Sequence, residues 1–288
     1  ITGSAIQLFQ IIDQNTFIHV MGWISKYSKS ELLVQFAYFS ANPNKITMIL
    51  IAVATSIGGV GIPLLTENYV KGDFRSAARL VQDNLSMLIF FILPATIGAV
   101  LVAEPLYTVF YGKPDGLALG LFIFAMLQTI ILSLYTVLAP MIQALFQNRK
   151  AIIYFLYGVG VKLVLQVPLI YIFKAYGPLL ATTVGLIIPI LLMYQEIRKV
   201  TGLNPKNLFK RSLLSVILTV LMTIFVLVAE LLIGLFLHPS GRISSFVYIA
   251  LIGGIGLAVY GGLALKVRLM DRFIGSKAAS LRRRFHIY

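Results

Sequence analysis

Long apolar runs separated by short polar turns dominate the chain. Leu85–Ala103, Leu117–Gln147, Ala175–Gln195, Ser212–Ala229 and Ile243–Leu265 carry no formal charge, and Ile46–Thr66 is similar. Each is long enough to supply the roughly 20 residues, within the usual range, that a helix needs to cross a bilayer core. Two further runs contain one charge each: the opening segment around Asp13, and Ala151–Phe173 around Lys162. The pattern predicts an all-α, polytopic membrane protein with eight transmembrane helices.

Within the first run, Gln7, Gln10 and Gln14 are spaced i, i+3, i+7, a single helical stripe with Asp13 at its edge. Four polar groups on one side of a helix are costly against lipid, so they face protein or a watery cavity. Two readings stay open, cavity lining with a role in solute or ion handling, and hydrogen bonding between helices. In the fifth run Gly158, Lys162 and Gln166 follow at i, i+4, i+8. A lysine at mid-span costs about 2.5–3.5 kcal/mol on insertion scales, and snorkelling relieves it least there. Lys162 is therefore expected to be paired or to face a cavity, with Asp13 the candidate counter-charge inside the membrane. Glu104 and Glu230 sit toward the outer ends of their runs, where interfacial placement explains them. Thr55, Ser56, Gln128, Gln143, Thr182 and Thr183 are weaker candidates for lining a path, since Ser and Thr in spans commonly bond their own helix.

Composition agrees with the pattern: 59% of residues are hydrophobic, 12% are charged, and mean hydropathy is +0.91. The net charge of +14 would suit nucleic acid, but its distribution argues otherwise. Most Lys and Arg fall in alternate turns: around Lys71, Arg75 and Arg79, at Arg149 and Lys150, from Arg198 to Arg211, and from Lys266 to Arg284. That alternation is the positive-inside pattern, and it places the first span running outward and the C-terminal tail in the cytoplasm. A nucleic-acid partner is not needed to explain the charge. The chain has no cysteine, so disulfides and thiolate metal sites are excluded. Its three histidines are scattered, and no HExxH, Walker lysine loop or paired carboxylates at metal spacing occur. An enzyme is not expected, nor is a metal or other cofactor.

The chain does not begin with methionine, and ITGSAIQLFQIID enters a span with no basic region before it. A fragment of a longer polytopic protein is the simplest reading. Asp73 is a plausible N-cap for a cytoplasmic interfacial helix carrying Phe74, Ala77, Ala78, Val81 and Leu85 on one face. The tail LKVRLMDRFIGSKAASLRRRFHIY alternates bases with Leu and Phe, which suits anionic headgroups or a merely solvated, topogenic end. Helix breakers lie inside several runs: Gly58, Gly59, Gly61 and Pro63, then Pro94, Pro140, Pro168 and Pro189. Such breaks are frequent in transporters but are not confined to them.

Several segments, in order, resemble the multidrug/oligosaccharidyl-lipid/polysaccharide flippase superfamily. ATSIGGVGIPLLTENYVKGDFRSAARL (Ala54–Leu80) resembles the break after its eighth helix, and AEPLYTVFYG (Ala103–Gly112) the exit of the ninth. MIQALFQNRKA (Met141–Ala151) resembles the end of the tenth helix, and VKLVLQVPLIYIFKAYGPLLATTVG (Val161–Gly185) the eleventh-to-twelfth junction. Together they are most similar to the MurJ-like lipid II flippases of Gram-positive bacteria, the YtgP and sporulation-protein-B group. The resemblance implies the C-terminal part of a fourteen-helix transporter, helices seven to fourteen. Residues 1–200 would form a six-helix lobe, and residues 201–288 two extra helices and a basic cytoplasmic tail. A missing N-terminal lobe would complete the central cavity.

The resemblance further implies movement of a lipid-linked oligosaccharide precursor from the inner to the outer leaflet of the bacterial plasma membrane by alternating access. The family often has an arginine-bearing Asp-Arg-Gly-Gln-Pro turn before helix eight. Here SANPNK (Ser40–Lys45) stands there and leaves Lys45 as its base. Some members bind Na⁺ between a carboxylate on helix seven, polar groups on helix eleven and a threonine on helix twelve. Asp13, Lys162 with Gln166, and Thr182 or Thr183 occupy comparable positions. The Lys162 ammonium is therefore expected to act as a tethered cation in place of sodium, with coupling from membrane potential or protons. A multidrug or organic-cation antiporter and a non-transporting scaffold of cell-wall assembly remain the alternative functions.

Overall fold

The computed structural model describes residues 2–235, 237, 239 and 241–271, with side chains from residue 6 onward. Most of the basic tail lies beyond residue 271, outside the described residues. The described residues are helical almost throughout: α1 (Thr2–Ile24), α2 (Lys29–Phe39), α3 (Ala41–Val60), α4 (Ile62–Val70), α5 (Phe74–Leu101) and α6 (Ala103–Tyr111). They are followed by α7 (Gly116–Ala144), α8 (Asn148–Phe173), α9 (Gly177–Thr201), α10 (Pro205–Gly234) and α11 (Arg242–Lys266).

Among the described residues, six continuous stretches are long and apolar enough to cross a membrane: Lys29–Val70, Phe74–Leu101, Gly116–Ala144, Asn148–Thr201, Pro205–Gly234 and Arg242–Lys266. This differs from the expected eight at two places. The polar residues of α1 dilute its hydropathy, and α8 and α9 form one stretch of 54 residues. That stretch is folded back on itself through a single 3₁₀ turn at Lys174–Tyr176. Lys150 meets Glu196, Gly158 meets Gly185 and Lys162 meets Thr182, so the two helices run antiparallel.

Two local expectations also change. Residues 29–39, which lie between the first two apolar runs and are given no element by the hydrophobic pattern, form α2, started by Ser28, whose Oγ accepts from the Glu31 backbone while the Glu31 carboxylate accepts from the Ser28 N–H. Pro43 is accommodated in the first turn of α3, where a missing N–H costs nothing. Asp73 does cap a helix, its Oδ1 accepting from the Ser76 N–H at 3.0 Å. That bond holds the Asp73 carboxyl below its ordinary range. The helix it starts is α5 itself, so the amphipathic turn carrying buried Ala77, Ala78, Val81 and Leu85 is continuous with the following span.

The chain divides into two compact units, Ile1–Leu88 with Asp115–Phe209, and Ile89–Pro114 with Lys210–Tyr288. In the first, Phe17, Met21, Leu32, Phe39, Leu121, Ile170 and Leu179 form a buried cluster. Phe17 and Phe39 meet edge to face at 5.1 Å. In the second, Phe90, Leu218, Met222, Val226, Ile252 and Tyr260 pack together.

The second unit shows how an internal proline is tolerated. Pro94 has no N–H to give the carbonyl of Phe90 one turn earlier, and the Tyr260 hydroxyl of α11 donates to that oxygen at 2.8 Å. Tyr260→Phe removes the donor and keeps the ring, leaving a buried carbonyl unsatisfied. A loss of about 1–3 kcal/mol is expected, read from thermal unfolding in detergent.

Candidate functional site

The groups singled out on α1, α8 and α9 converge. Asp13, one turn beyond Phe9 on the inner face of α1, is 9% exposed, and Lys162 and Gln166, one turn apart on α8, are fully buried. Lys162 Nζ donates to Asp13 Oδ1 at 2.7 Å and also to the Thr182 hydroxyl of α9. Gln166 Nε2 donates to the same Oδ1 at 2.7 Å and to Thr16 Oγ1 at 3.0 Å. Thr182 donates to Asp13 Oδ2 at 3.3 Å. The Phe9 ring lies 4.7 Å from the ammonium, within cation–π range. Three helices are thus joined at one carboxylate. Among the described residues the Gln166 Oε1 atom is buried with no partner.

Backbone packing sets this geometry. Gly158, one turn before Lys162, lies against Gly185 of α9: a Cβ at Gly158 would stand 2.3 Å from the Gly185 carbonyl oxygen. Pro189 has withdrawn that carbonyl's usual donor, so the bare Gly158 backbone approaches an oxygen already freed. The close contact brings the Lys162 stem within reach of Thr182.

The remaining sequence-predicted residues are placed unevenly. Gln10 is half-buried, whereas Gln7 and Gln14 are exposed on α1 and do not join the cluster. Lys45 is exposed on α3. Gln128 of α7 is buried and donates to the Leu179 carbonyl at 2.7 Å and to Thr183 Oγ1 at 2.9 Å. Thr183 therefore belongs to this second link, one residue away from the carboxylate cluster. Thr55 and Ser56 bond the Ile51 and Ala52 carbonyls of their own helix. Beside Asp13 lies a cavity of about 60 Å³, lined by Gln10, Asn44, Thr47, Gln128 and Thr182 among others.

Sequence reasoning missed Phe9 and Thr16, although both are within one turn of Asp13. It also missed Glu196, which accepts from Lys150 Nζ at 2.6 Å and from the Tyr154 hydroxyl at 3.3 Å, a second tie between α8 and α9. The charged end YQEIRK of α9, opposite basic Arg149 and Lys150, was the available signal.

A helical membrane protein with a buried ammonium–carboxylate pair joining three of its helices has the makings of a transporter element. The chain belongs to the family described as lipid II flippase MurJ, whose model matches residues 25–251. It is similar to the lipid II flippase MurJ of Bacillus subtilis (strain 168), with 29% identity over 279 residues, 96% of this chain and 51% of that protein. Among solved structures, lipid II flippase MurJ in an inward closed conformation matches with a TM-score of 0.65 at 17% identity. That match covers 90% of this chain and 50% of the other, and it shows a shared fold. The chain thus spans about half the length of the relatives it matches.

Proposed function

We propose that this chain is the C-terminal portion, helices seven to fourteen, of a lipid II flippase of the bacterial plasma membrane. In this reading α1 and both arms of the α8–α9 hairpin each cross the bilayer, giving eight spans with the C-terminus in the cytoplasm. Residues 1–200 form the six-helix lobe, and residues 201–288 the two added helices and a basic tail lying on anionic headgroups. An N-terminal lobe covers the α1 face that exposes Gln7, Gln14, Asn15 and His19, a face that acyl chains would solvate poorly. The protein is a transporter and not a catalyst, and the likeness to the Bacillus subtilis flippase over nearly the whole chain is the observation that carries this reading.

Asp13, Lys162, Gln166 and Thr182 form the coupling element in this proposal, with Gln10, Gln128, Thr183 and Lys45 around the path. The ammonium occupies the place of an exchangeable cation, among a carboxylate, a hydroxyl and an aromatic face. Opening and closing the contact between α1 and the α8–α9 hairpin is its role in alternating access. One charge moved through 100 mV is worth about 2.3 kcal/mol, enough to bias such a step.

Depleting the full-length protein and assaying lipid II exposed on the outer leaflet tests the function. Loss of exposed lipid II, restored by the wild-type gene, is the expected result. Undiminished exposure together with lost efflux of organic cations would identify an antiporter. Undiminished exposure and unchanged efflux, with wall assembly impaired, would identify a scaffold.

A further inference from the structure

We propose that the small cavity beside Asp13 is a proton port, through which water delivers and removes the proton that opens the Asp13–Lys162 pair. It rests on reading that pair as the coupling element. The two carboxylate oxygens differ: Oδ1 accepts from Lys162 and from Gln166 at 2.7 Å each, while Oδ2 has the Thr182 hydroxyl at 3.3 Å. Oδ2 is the under-committed oxygen, and Asp13 and Thr182 are the two members of the cluster that line the cavity. Lys162 and Gln166 do not reach it. A proton arriving there meets the carboxylate and not the ammonium.

The cavity suits water. Its volume of about 60 Å³ leaves room for several molecules, each needing roughly 10–15 Å³ on this scale and a few polar partners. Amide and hydroxyl groups from Gln10, Asn44, Thr47 and Gln128 supply those partners. Among the described residues, Lys162 of α8 is the charged group facing Asp13. The linings from α3, α7 and α9 are neutral: Asn44 and Thr47, Gln128, and Thr182. In the step itself a hydronium in the cavity transfers its proton to Asp13 Oδ2, leaving a water and a neutral carboxylic acid. Lys162 keeps its proton and becomes an unpaired ammonium in the membrane interior, a state that favours separation of α1 from the hairpin. Return of the proton to cavity water restores the pair.

Infrared difference spectroscopy on the full-length protein in lipid vesicles, with pH stepped downward, tests the port without any cargo. The expected result is the carbonyl band of a protonated carboxyl that Asp13→Asn abolishes. Thr47→Leu on α3 adds apolar bulk to the cavity lining, and Gln10→Leu on α1 takes away one of the polar groups that would hold water there. Either should slow the band's appearance by about tenfold, a rise in barrier of about 1.4 kcal/mol, while leaving its final size unchanged. No band assignable to Asp13, or an undiminished rate in every variant that folds, overturns the proposal. If lipid II exposure proves independent of the protein while this proton uptake persists, the flippase reading fails and the port stands.

Discussion

Lys162→Met should destabilise the full-length protein by about 3–5 kcal/mol, because it leaves the Asp13 carboxylate buried without its counter-charge. The substitution keeps most of the side-chain volume, so the loss is electrostatic and not a cavity effect. Gln166 and Thr182 still donate to Asp13, but two neutral donors do not balance an anion in a site that is 9% exposed. Asp13→Asn should be similarly harmful, since it strands the ammonium over the Phe9 ring. The double variant Asp13→Asn/Lys162→Met removes both charges and should regain most of the lost stability. Thermal unfolding of the four proteins in detergent measures the coupling, expected to exceed the roughly 0.5–3 kcal/mol usual for contacting residues, because most of two losses of about 3–5 kcal/mol each is cancelled in the double variant. Additive losses would show that the two groups do not act as a pair. The recovery also separates stability from function: a membrane-buried ion pair adds little over apolar packing, so the double variant should fold well and still fail to transport.

Gly158→Leu is expected to have the second large effect. At this position even a Cβ would meet the Gly185 carbonyl at 2.3 Å and the Pro189 ring at 3.0 Å. Neither backbone nor a proline ring can swing aside as a flexible side chain would, so α8 and α9 must part. Overpacking of this kind costs about 1–3 kcal/mol or more. Separation also draws Lys162 away from Thr182, so transport should fall together with stability. Gly160→Ala on the same helix provides the control, because a Cβ there meets no neighbouring atom within 4 Å. It should be neutral, or stabilising by roughly 0.5–1 kcal/mol through helix propensity. Thermal unfolding temperature and lipid II exposure in cells, read side by side for the two variants, check the contrast.

The pairing of Asp13 with Lys162 was legible in the sequence because both are charges in apolar runs, and a membrane leaves such charges few partners. Gln166 was legible by its spacing from Lys162. The glutamine stripe misled in detail: Gln7, Gln10 and Gln14 do share one side of α1, but Asp13 at the edge of that side points inward while Gln7 and Gln14 are exposed. Helical spacing fixes which residues neighbour one another and not which way the helix is rotated against the rest of the protein. Phe9 was hidden for another reason, since a ring in an apolar run carries no signal until a cation is placed over it. Gly158 was legible as sharing a face with Lys162 and Gln166, but its contact with Gly185 depends on a pairing of α8 with α9 that no local pattern encodes. Hydropathy alone passes over α1, because buried Asp13 and the exposed Gln7, Gln14, Asn15 and His19 dilute its apolar residues.

The most direct measurement is outward movement of lipid II by the full-length protein in vesicles, wild type and Lys162→Met, with Na⁺ present or replaced by choline. Wild-type transport that is indifferent to Na⁺, and lost in Lys162→Met, is the expected result. Strict dependence of the wild type on Na⁺, or undiminished transport by Lys162→Met, would contradict a built-in ammonium at the centre of the coupling element.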